Sequence, residues 1–259
     1  MQWFKSLRLI ISVHTYIIIA LSILSTYLCI TFKVTADFPL SLIGTAIVFP
    51  IVFSIGGAYK RRENALKEYG NMKAHGRAIF YASRDWLAEP DAELQKDAKT
   101  ALANILHGSR DLFMTPISEM EVPEKYVYEK FSDMSRFINS FRAKGMPGGE
   151  VSRCNQFLSK MVVAFENVKH IYQYRTPRTL RTFSKVFIYV LPIMYGPYFA
   201  AISRDFAKDS VYFTAYMMPV LFTVVLVSLD NIQTHLENPF DQVGEDDIVI
   251  NAEKFVSLL

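Results

Sequence analysis

The chain has 259 residues, of which 51% are hydrophobic and 20% charged, with a net charge of +3. Its mean hydropathy of +0.17 is too high for an ordinary soluble domain, and its charged fraction is too high for a protein that lies wholly in lipid. Both observations fit a chain in which apolar and charged residues are segregated.

Four segments contain no Asp, Glu, Lys or Arg. They are Leu9–Phe32, Phe38–Tyr59, Val186–Ser203 and Ser210–Leu229. Because a helix needs about 20 apolar residues to cross the hydrocarbon core of a bilayer, they predict four transmembrane helices of an all-α membrane protein. The first is longer than a signal-peptide core, and no cleavage site follows it. Buried core helices of a soluble protein are disfavoured, because one chain contains four such segments.

Short connectors at 33–37 and 204–209 join the segments into two hairpins, separated by a charged region, 60–185. This region contains 22 Lys and Arg against 15 Asp and Glu, a net charge of +7, with basic residues crowded at both membrane-facing ends. The positive-inside rule therefore places it, with both termini, on the cytoplasmic or equivalent side. The predicted domains are an N-terminal segment with the first hairpin (1–59), a helical cytosolic domain (60–185), the second hairpin (186–229) and a cytosolic C-terminal acidic segment (230–259).

The cytosolic domain has the patterns of four helices. They are predicted over Ala65–Trp86, 91–108, Glu124–Lys144 and Val151–Tyr174. Asp91 is placed to cap the second helix, and Gly108 to end it. The sequence GMPGGE at 145–150 is the clearest helix breaker in the chain.

Catalytic signatures are absent from the sequence. The motifs GxGxxG, GxxxxGK[ST], HExxH, GxSxG and CxxC do not occur. The positions of Cys29 and Cys154 suggest neither a disulfide framework nor a metal site. The basic residues of 60–185 are interleaved with acidic ones, and no motif that reads nucleic acid accompanies them. We therefore expect neither an enzyme nor a nucleic-acid partner.

The second charge-free segment carries an aromatic face. Thr45, Phe49 and Phe53 recur every four residues and therefore share one side of a helix. A ring of such faces from several subunits could form a constriction that gates by dewetting. Packing of aromatic side chains between helices is the commoner use of this pattern, and the spacing alone favours it.

An acidic cluster follows the fourth charge-free segment. Asp241, Glu245, Asp246 and Asp247 offer the oxygen ligands that calcium prefers. Their spacing does not match an EF-hand loop, and adjacent carboxylates cannot all bind one ion without a turn and further backbone oxygens. Composition alone favours a solvated acidic tail.

Three further stretches are AYKRRENALKEYG (58–70), ENVKHIYQYRTPRTL (166–180) and ENPF (237–240). Together they resemble motifs of the bestrophin family of ion channels. The residues of the first stretch that fit the family's Arg-Trp-Trp-Glu-type region are Tyr59, Arg61, Ala65, Lys67 and Gly70. Arg62 and Glu63 replace the aromatic pair expected there. The second stretch is similar to the family's charged helix that ends in a Thr-Pro turn, and the third to its Asn-Pro-Phe turn.

This resemblance covers most of the chain and implies a homopentamer with one central pore. The pore would pass chloride or other small anions across a lipid bilayer. The resemblance places its hydrophobic neck at Thr45, Phe49 and Phe53. It also implies a second, cytosolic constriction near the start of the helix after GMPGGE, for which Val151 is the candidate.

Calcium is the cofactor that the resemblance raises. In calcium-gated animal members, an acidic run after the Pro-Phe turn forms a calcium clasp, and the matching run here is Glu245, Asp246 and Asp247. This run is shorter than theirs and is displaced along the chain, so we expect little calcium dependence and no other cofactor.

Other functions stay open at this point. The family includes members that pass cations, so the sign of the permeant ion is not decided. A non-conducting membrane scaffold that binds a cytosolic partner through its helical domain is the main alternative. A secondary transporter is disfavoured, because the hairpins show no inverted repeat and no buried charge lies in a predicted span.

Overall fold

The structure, a computed structural model, describes residues 11–37, 40–174, 178–206, 212–242 and 247–259. The helices in these ranges are α1 (Val13–Thr31), α2 (Leu40–Asp85), α3 (Ala92–Met114), α4 (Glu121–Ser140), α5 (Gly148–Gln173), α6 (Arg178–Met194), α7 (Gly196–Phe206), α8 (Tyr212–Glu237) and α9 (Ala252–Ser257), with a short 3-10 helix at Ile117–Glu119. No strand occurs in the described ranges. The predicted all-α fold class is therefore confirmed.

The chain divides into two compact units. The apolar unit comprises Met1–Lys60 and Thr176–Glu237, and the charged unit comprises Arg61–Arg175 and Asn238–Leu259. Helix α2 contributes to both units, with an apolar first part and a charged second part. The residues after α8 therefore join a unit whose other members lie far earlier in the sequence.

Helix α1 packs against α6, α7 and α8 within the apolar unit. Its buried residues are Thr15, Ile18, Ser22 and Thr26, at the spacing of one helix face. Most of them are small and polar, whereas Leu, Ile and Tyr side chains on the other faces are exposed. This is the reverse of a soluble helix. It fits a membrane helix, where small residues let helices approach closely and the apolar side faces lipid.

A break separates α6 from α7, and α1 stabilises it. Pro197 has no N–H, so the Ile193 carbonyl lacks its usual helical donor. The Ser25 hydroxyl of α1 donates to that carbonyl at 2.7 Å. A Cβ at Gly196 would lie 2.3 Å from the same hydroxyl oxygen, so the glycine is what allows α1 to come this close.

Three segments in the described part of the chain are long and apolar enough to cross a membrane. They are Val13–Thr31, Thr179–Ser203 and Tyr216–Glu237. They overlap the first, third and fourth predicted spans, while the second predicted span forms the first part of α2. These segments support an integral membrane protein, and the count of four spans stays a prediction.

In the charged unit, the start of α3 was predicted correctly and its end was not. The Asp91 side chain caps the helix by accepting the backbone N–H of Leu94 at 2.9 Å. The predicted end at Gly108 is wrong, because α3 continues to Met114. A Cβ at Gly108 would lie 3.0 Å from the Tyr126 ring of α4. This glycine therefore serves close packing of α3 against α4 and does not end a helix.

The third and fourth predicted cytosolic helices are both present, with shifted bounds. Helix α4 begins at Glu121, which places Pro123 in the first turn, where proline costs a helix little. Helix α5 begins at Gly148, directly after Pro147. The end of the breaker GMPGGE therefore starts a helix. Pro147 lacks an N–H, but the first N–H groups of a helix have no intrahelical partner, so no helical hydrogen bond is lost.

Candidate pore-facing surface

The first part of α2 has two unlike faces. One face packs into the core of the apolar unit through Ile47 and Ile51, which are 4% and 0% exposed. The other exposes Phe49 and Phe53, at 61% and 64%, and Thr45 is exposed as well. The helix therefore brings the three residues of the predicted neck together on one exposed face.

The two phenylalanines form an edge-to-face pair. Their ring centroids lie 4.6 Å apart and the ring planes meet at 75°. Helix α2 runs through Pro50 without interruption, so the face is continuous. The rings offer apolar surface that resists wetting, and their edges carry partial positive charge. Such a face can both form a hydrophobic barrier and tolerate an anion.

Val151 lies in the first turns of α5 and is fully buried in the core of the charged unit. The exposed surface of this turn comes instead from Ser152 and Arg153. A constriction at this point of the chain stays a prediction. Within one chain, Val151 itself offers no exposed surface to such a constriction.

The acidic segment is only partly described. Glu245 and Asp246 lie outside the described residues, and Asp247 is half-buried. Asp241 is exposed, and its carboxylate accepts a hydrogen bond from the Asn238 side chain at 3.1 Å. No group of three or more potential metal ligands occurs among the described residues. Calcium binding here stays a prediction.

The turn before this segment is anchored in the charged unit. Phe240 is 2% exposed, and its ring stacks on Phe113 of α3 at 5.0 Å between centroids. The backbone N–H of Ile248 donates to the Pro239 carbonyl at 2.7 Å. The Asn-Pro-Phe turn therefore ends α8 and seats the following residues on the helices of the charged unit.

A buried polar row follows the predicted end of the fourth span. Asp230, Gln233 and Glu237 are 4%, 1% and 8% exposed on α8. On α6, the Arg181 guanidinium pairs with the Glu237 carboxylate at 2.5 Å, and the Tyr189 hydroxyl lies 3.5 Å from the Asp230 carboxylate.

The sequence argument counted the fourth span only to Leu229, whereas its helix continues to Glu237 and buries the charged residues Asp230 and Glu237. The signal was available in the spacing of these residues, since positions i, i+3 and i+7 share a helix face. The Glu237 carboxylate pairs with a guanidinium of α6 and the Asp230 carboxylate faces a hydroxyl of the same helix, so the row joins α6 to α8. A buried carboxylate destabilises the fold when no group of opposite charge compensates it, so the pairing of Glu237 matters for stability.

No protein-family model matches the chain, and no curated protein matches its sequence. Solved structures do match. Three of them are crystal structures of variants of a bacterial bestrophin homologue from Klebsiella pneumoniae, with TM-scores of 0.73, 0.74 and 0.74. They are 15%, 15% and 14% identical to this chain, and the alignments cover 93%, 93% and 94% of it and 96%, 96% and 98% of those chains. At this identity the likeness establishes the fold, and the chain therefore has the bestrophin-like fold that its sequence motifs predicted.

Proposed function

We propose that the chain forms an ion channel that passes chloride and other small anions, assembled as a homopentamer around one central pore. The observation that carries this proposal is the exposed face of Thr45, Phe49 and Phe53, on a helix whose opposite face is seated in the core of the apolar unit. The bestrophin-like fold supports the same assignment, because a pore neck at these residues is what the resemblance to bestrophins implies.

The neck would act as a hydrophobic gate. Copies of the same face, one from each subunit, would form a narrow apolar ring that ions cross only when it widens and wets. The partial positive charge on the ring edges would attract a passing anion weakly, and no fixed cation would bind that anion tightly. This arrangement favours passage over binding, and no step in it requires catalysis.

The charge of the soluble region supports anions as the permeant ions. Residues 60–185 carry a net charge of +7, and a charged vestibule raises the local concentration of the opposite ion. The same basic residues place this region, with both termini, on the cytoplasmic or equivalent side of the bilayer.

The main alternative is a non-conducting scaffold, and the first test separates it from a channel. The protein mass of the detergent-solubilised particle is measured, and the protein is then reconstituted in planar bilayers. We expect five times the chain mass of 29.7 kDa and unitary currents that reverse near the chloride potential in a salt gradient. A monomer or dimer without current would support the scaffold, and reversal near the cation potential would assign the channel to cations.

The second test addresses the neck. The double variant Phe49→Ala/Phe53→Ala removes about 150–250 Å² of aromatic surface at each ring position. Both side chains are mostly exposed within one chain, so the particle should assemble normally while its current rises or loses gating.

The matched control is Ile51→Ala, on the buried face of the same helix. It should cost about 2–5 kcal/mol of stability without raising conductance. A double variant that assembles normally and conducts like the parent would remove these residues from the pore.

A further inference from the structure

Three cationic side chains lie around the contact between Phe255 of α9 and Arg77 of α2 in the charged unit. Lys73 and Arg77 lie one turn apart on α2, and Lys254 lies on α9. The Lys73 ammonium is 4.3 Å from the centroid of the Tyr69 ring, and the Arg77 guanidinium carbon is 5.6 Å from that of Phe255. Aromatic rings therefore hold two of the cations from one side.

Residues of α9 and of the turn before it fix this arrangement. Phe255 is 4% exposed and Tyr69 is 5% exposed, so both rings belong to the core of the unit. The Asn251 backbone is hydrogen-bonded to Tyr69, and the Asn251 side chain accepts the backbone N–H of Lys254 at 2.7 Å. The backbone that carries the three cations is therefore fixed by these contacts.

Within the described ranges, none of the three cations forms an ion pair with a carboxylate. Other cations of the unit do: Lys169, for example, lies 2.8 Å from Glu124 and 2.7 Å from Glu166. The one carboxylate on α9, that of Glu253, lies 3.5 Å from the His107 imidazole instead.

One buried donor of this cluster lacks an acceptor, and its positive charges lie close together. The Arg77 Nε is buried and has no hydrogen-bond partner among the described residues. Burial, together with the charges of Arg77 and Lys254, lowers the pKa of Lys73. Like charges held together without an acid are costly, so an anion bound here would relieve the repulsion and supply the missing acceptor.

We propose that Lys73, Arg77 and Lys254 form a binding site for a phosphate group. A guanidinium presents parallel N–H donors that match two oxygens of an oxyanion, whereas chloride offers no such pair. The two ammonium groups act as point charges on the remaining oxygens. A phosphate monoester carries a charge of about −1.5 to −2 at neutral pH, which offsets about half to two-thirds of three positive charges. The proposal does not depend on channel activity.

Binding is measured by calorimetric titration of the detergent-solubilised protein with inorganic phosphate, at constant ionic strength and in a chloride background. We expect saturable binding that is at least about tenfold weaker in Lys254→Gln and in Arg77→Gln. Lys254 is exposed, so its variant keeps the fold even if replacement of Arg77 loosens the contact with Phe255. The control is Lys125→Gln, which neutralises an exposed lysine of α4 and should bind phosphate like the parent.

A second measurement reports on the site itself. Phosphate should protect Lys73 and Lys254 from an amine-reactive reagent, with Lys125 as the unprotected reference in the same mass spectrum. Vesicles of phosphatidic acid against vesicles of phosphatidylcholine form the lipid arm. Vesicle binding that is lost in Lys254→Gln, without binding of free phosphate, would assign the site to a lipid headgroup. Equal affinity in parent and Lys254→Gln, or no binding in either arm, would overturn the proposal.

Discussion

Asp91 illustrates how one partly buried carboxylate serves two contacts in the charged unit. It accepts the Leu94 N–H at the start of α3, and it lies 2.8 Å from the Lys144 ammonium. The hydrogen bond from Lys144 is the main cause that holds the pKa of Asp91 below its usual value, and the Leu94 N–H adds to it. The ionised carboxylate therefore links the start of α3 to the segment after α4.

We predict that the two contacts of Asp91 can be separated by substitution. Asp91→Asn keeps a capping oxygen but loses the charge, whereas Asp91→Ala loses both. At neutral pH the midpoint of thermal unfolding should fall for Asn and fall further for Ala. Circular dichroism at the helix band measures both.

The pH dependence of the same variants has a definite sign. Because the folded-state pKa of Asp91 is depressed, its contribution is complete above the unfolded value of about 3.9 and is lost as the pH falls through the folded value. The difference in stability between parent and Asp91→Asn should therefore shrink in acid. A difference that is constant with pH, or absent at neutral pH, would contradict the prediction.

At the scale of the helix, α2 provides two glycines with opposite surroundings. A Cβ at Gly76 would lie 2.9 Å from the Leu102 side chain, which is fully buried. A Cβ at Gly70 would have no heavy atom within 4 Å. Both glycines lie inside the same helix, so they form a matched pair.

We predict stability changes of opposite sign for this pair. Gly70→Ala should stabilise the protein by up to about 1 kcal/mol, because alanine favours a helix more than glycine does. Gly76→Ala should destabilise it by about 1–3 kcal/mol, because the core must shift to admit the methyl group. Denaturant unfolding of the two variants measures the difference. Equal effects would show that the core around Leu102 is loosely packed.

The segment that follows α8 depends on one aromatic ring. Phe240 is buried against Phe113 and also contacts Tyr172. Phe240→Ala should therefore cost about 3–5 kcal/mol and expose 247–259 to limited proteolysis, while Phe240→Leu should cost less because it keeps most of the volume. Unchanged stability and protease resistance in the alanine variant would show that other contacts hold the segment.

Some features of the helices were predicted correctly from local sequence patterns, and others were not. Capping by Asp91 depends on a residue three positions away, so the sequence alone was sufficient. Gly108 was misassigned because its partner, Tyr126, lies across a helix–helix contact. The shared face of Thr45, Phe49 and Phe53 follows from helical spacing, and only packing decided that this face is the exposed one.

For the molecule as a whole, we predict the orientation in the membrane. In a Cys29→Ser background, a cysteine at Val34, which is exposed in the first connector, should react with an impermeant thiol reagent added from outside. A cysteine at Gly148, exposed in the charged unit, should not. The native Cys154 is buried and its pKa is raised to about 11, so it stays protonated and unreactive. Labelling at position 148 from outside would reverse the assigned orientation.

The sequence by itself determined the features that depend on near neighbours and on composition. These are the all-α class, the charge-free segments, the cap of α3 and the motifs that led to the bestrophin-like fold. A charge-free run of about 20 residues and a helix cap are local properties, so distant contacts do not alter them.

Only the tertiary structure decided which charges are buried and which meet. Asp230 and Glu237 follow an apolar segment, and their partners Tyr189 and Arg181 lie on α6, 41 and 56 residues earlier. Lys73 and Lys254 are far apart in the sequence, and they come near each other because α9 packs on α3 and its Phe255 contacts Arg77 of α2. Charge interactions depend on distance in space and on the surrounding medium, and neither can be obtained from positions along a chain.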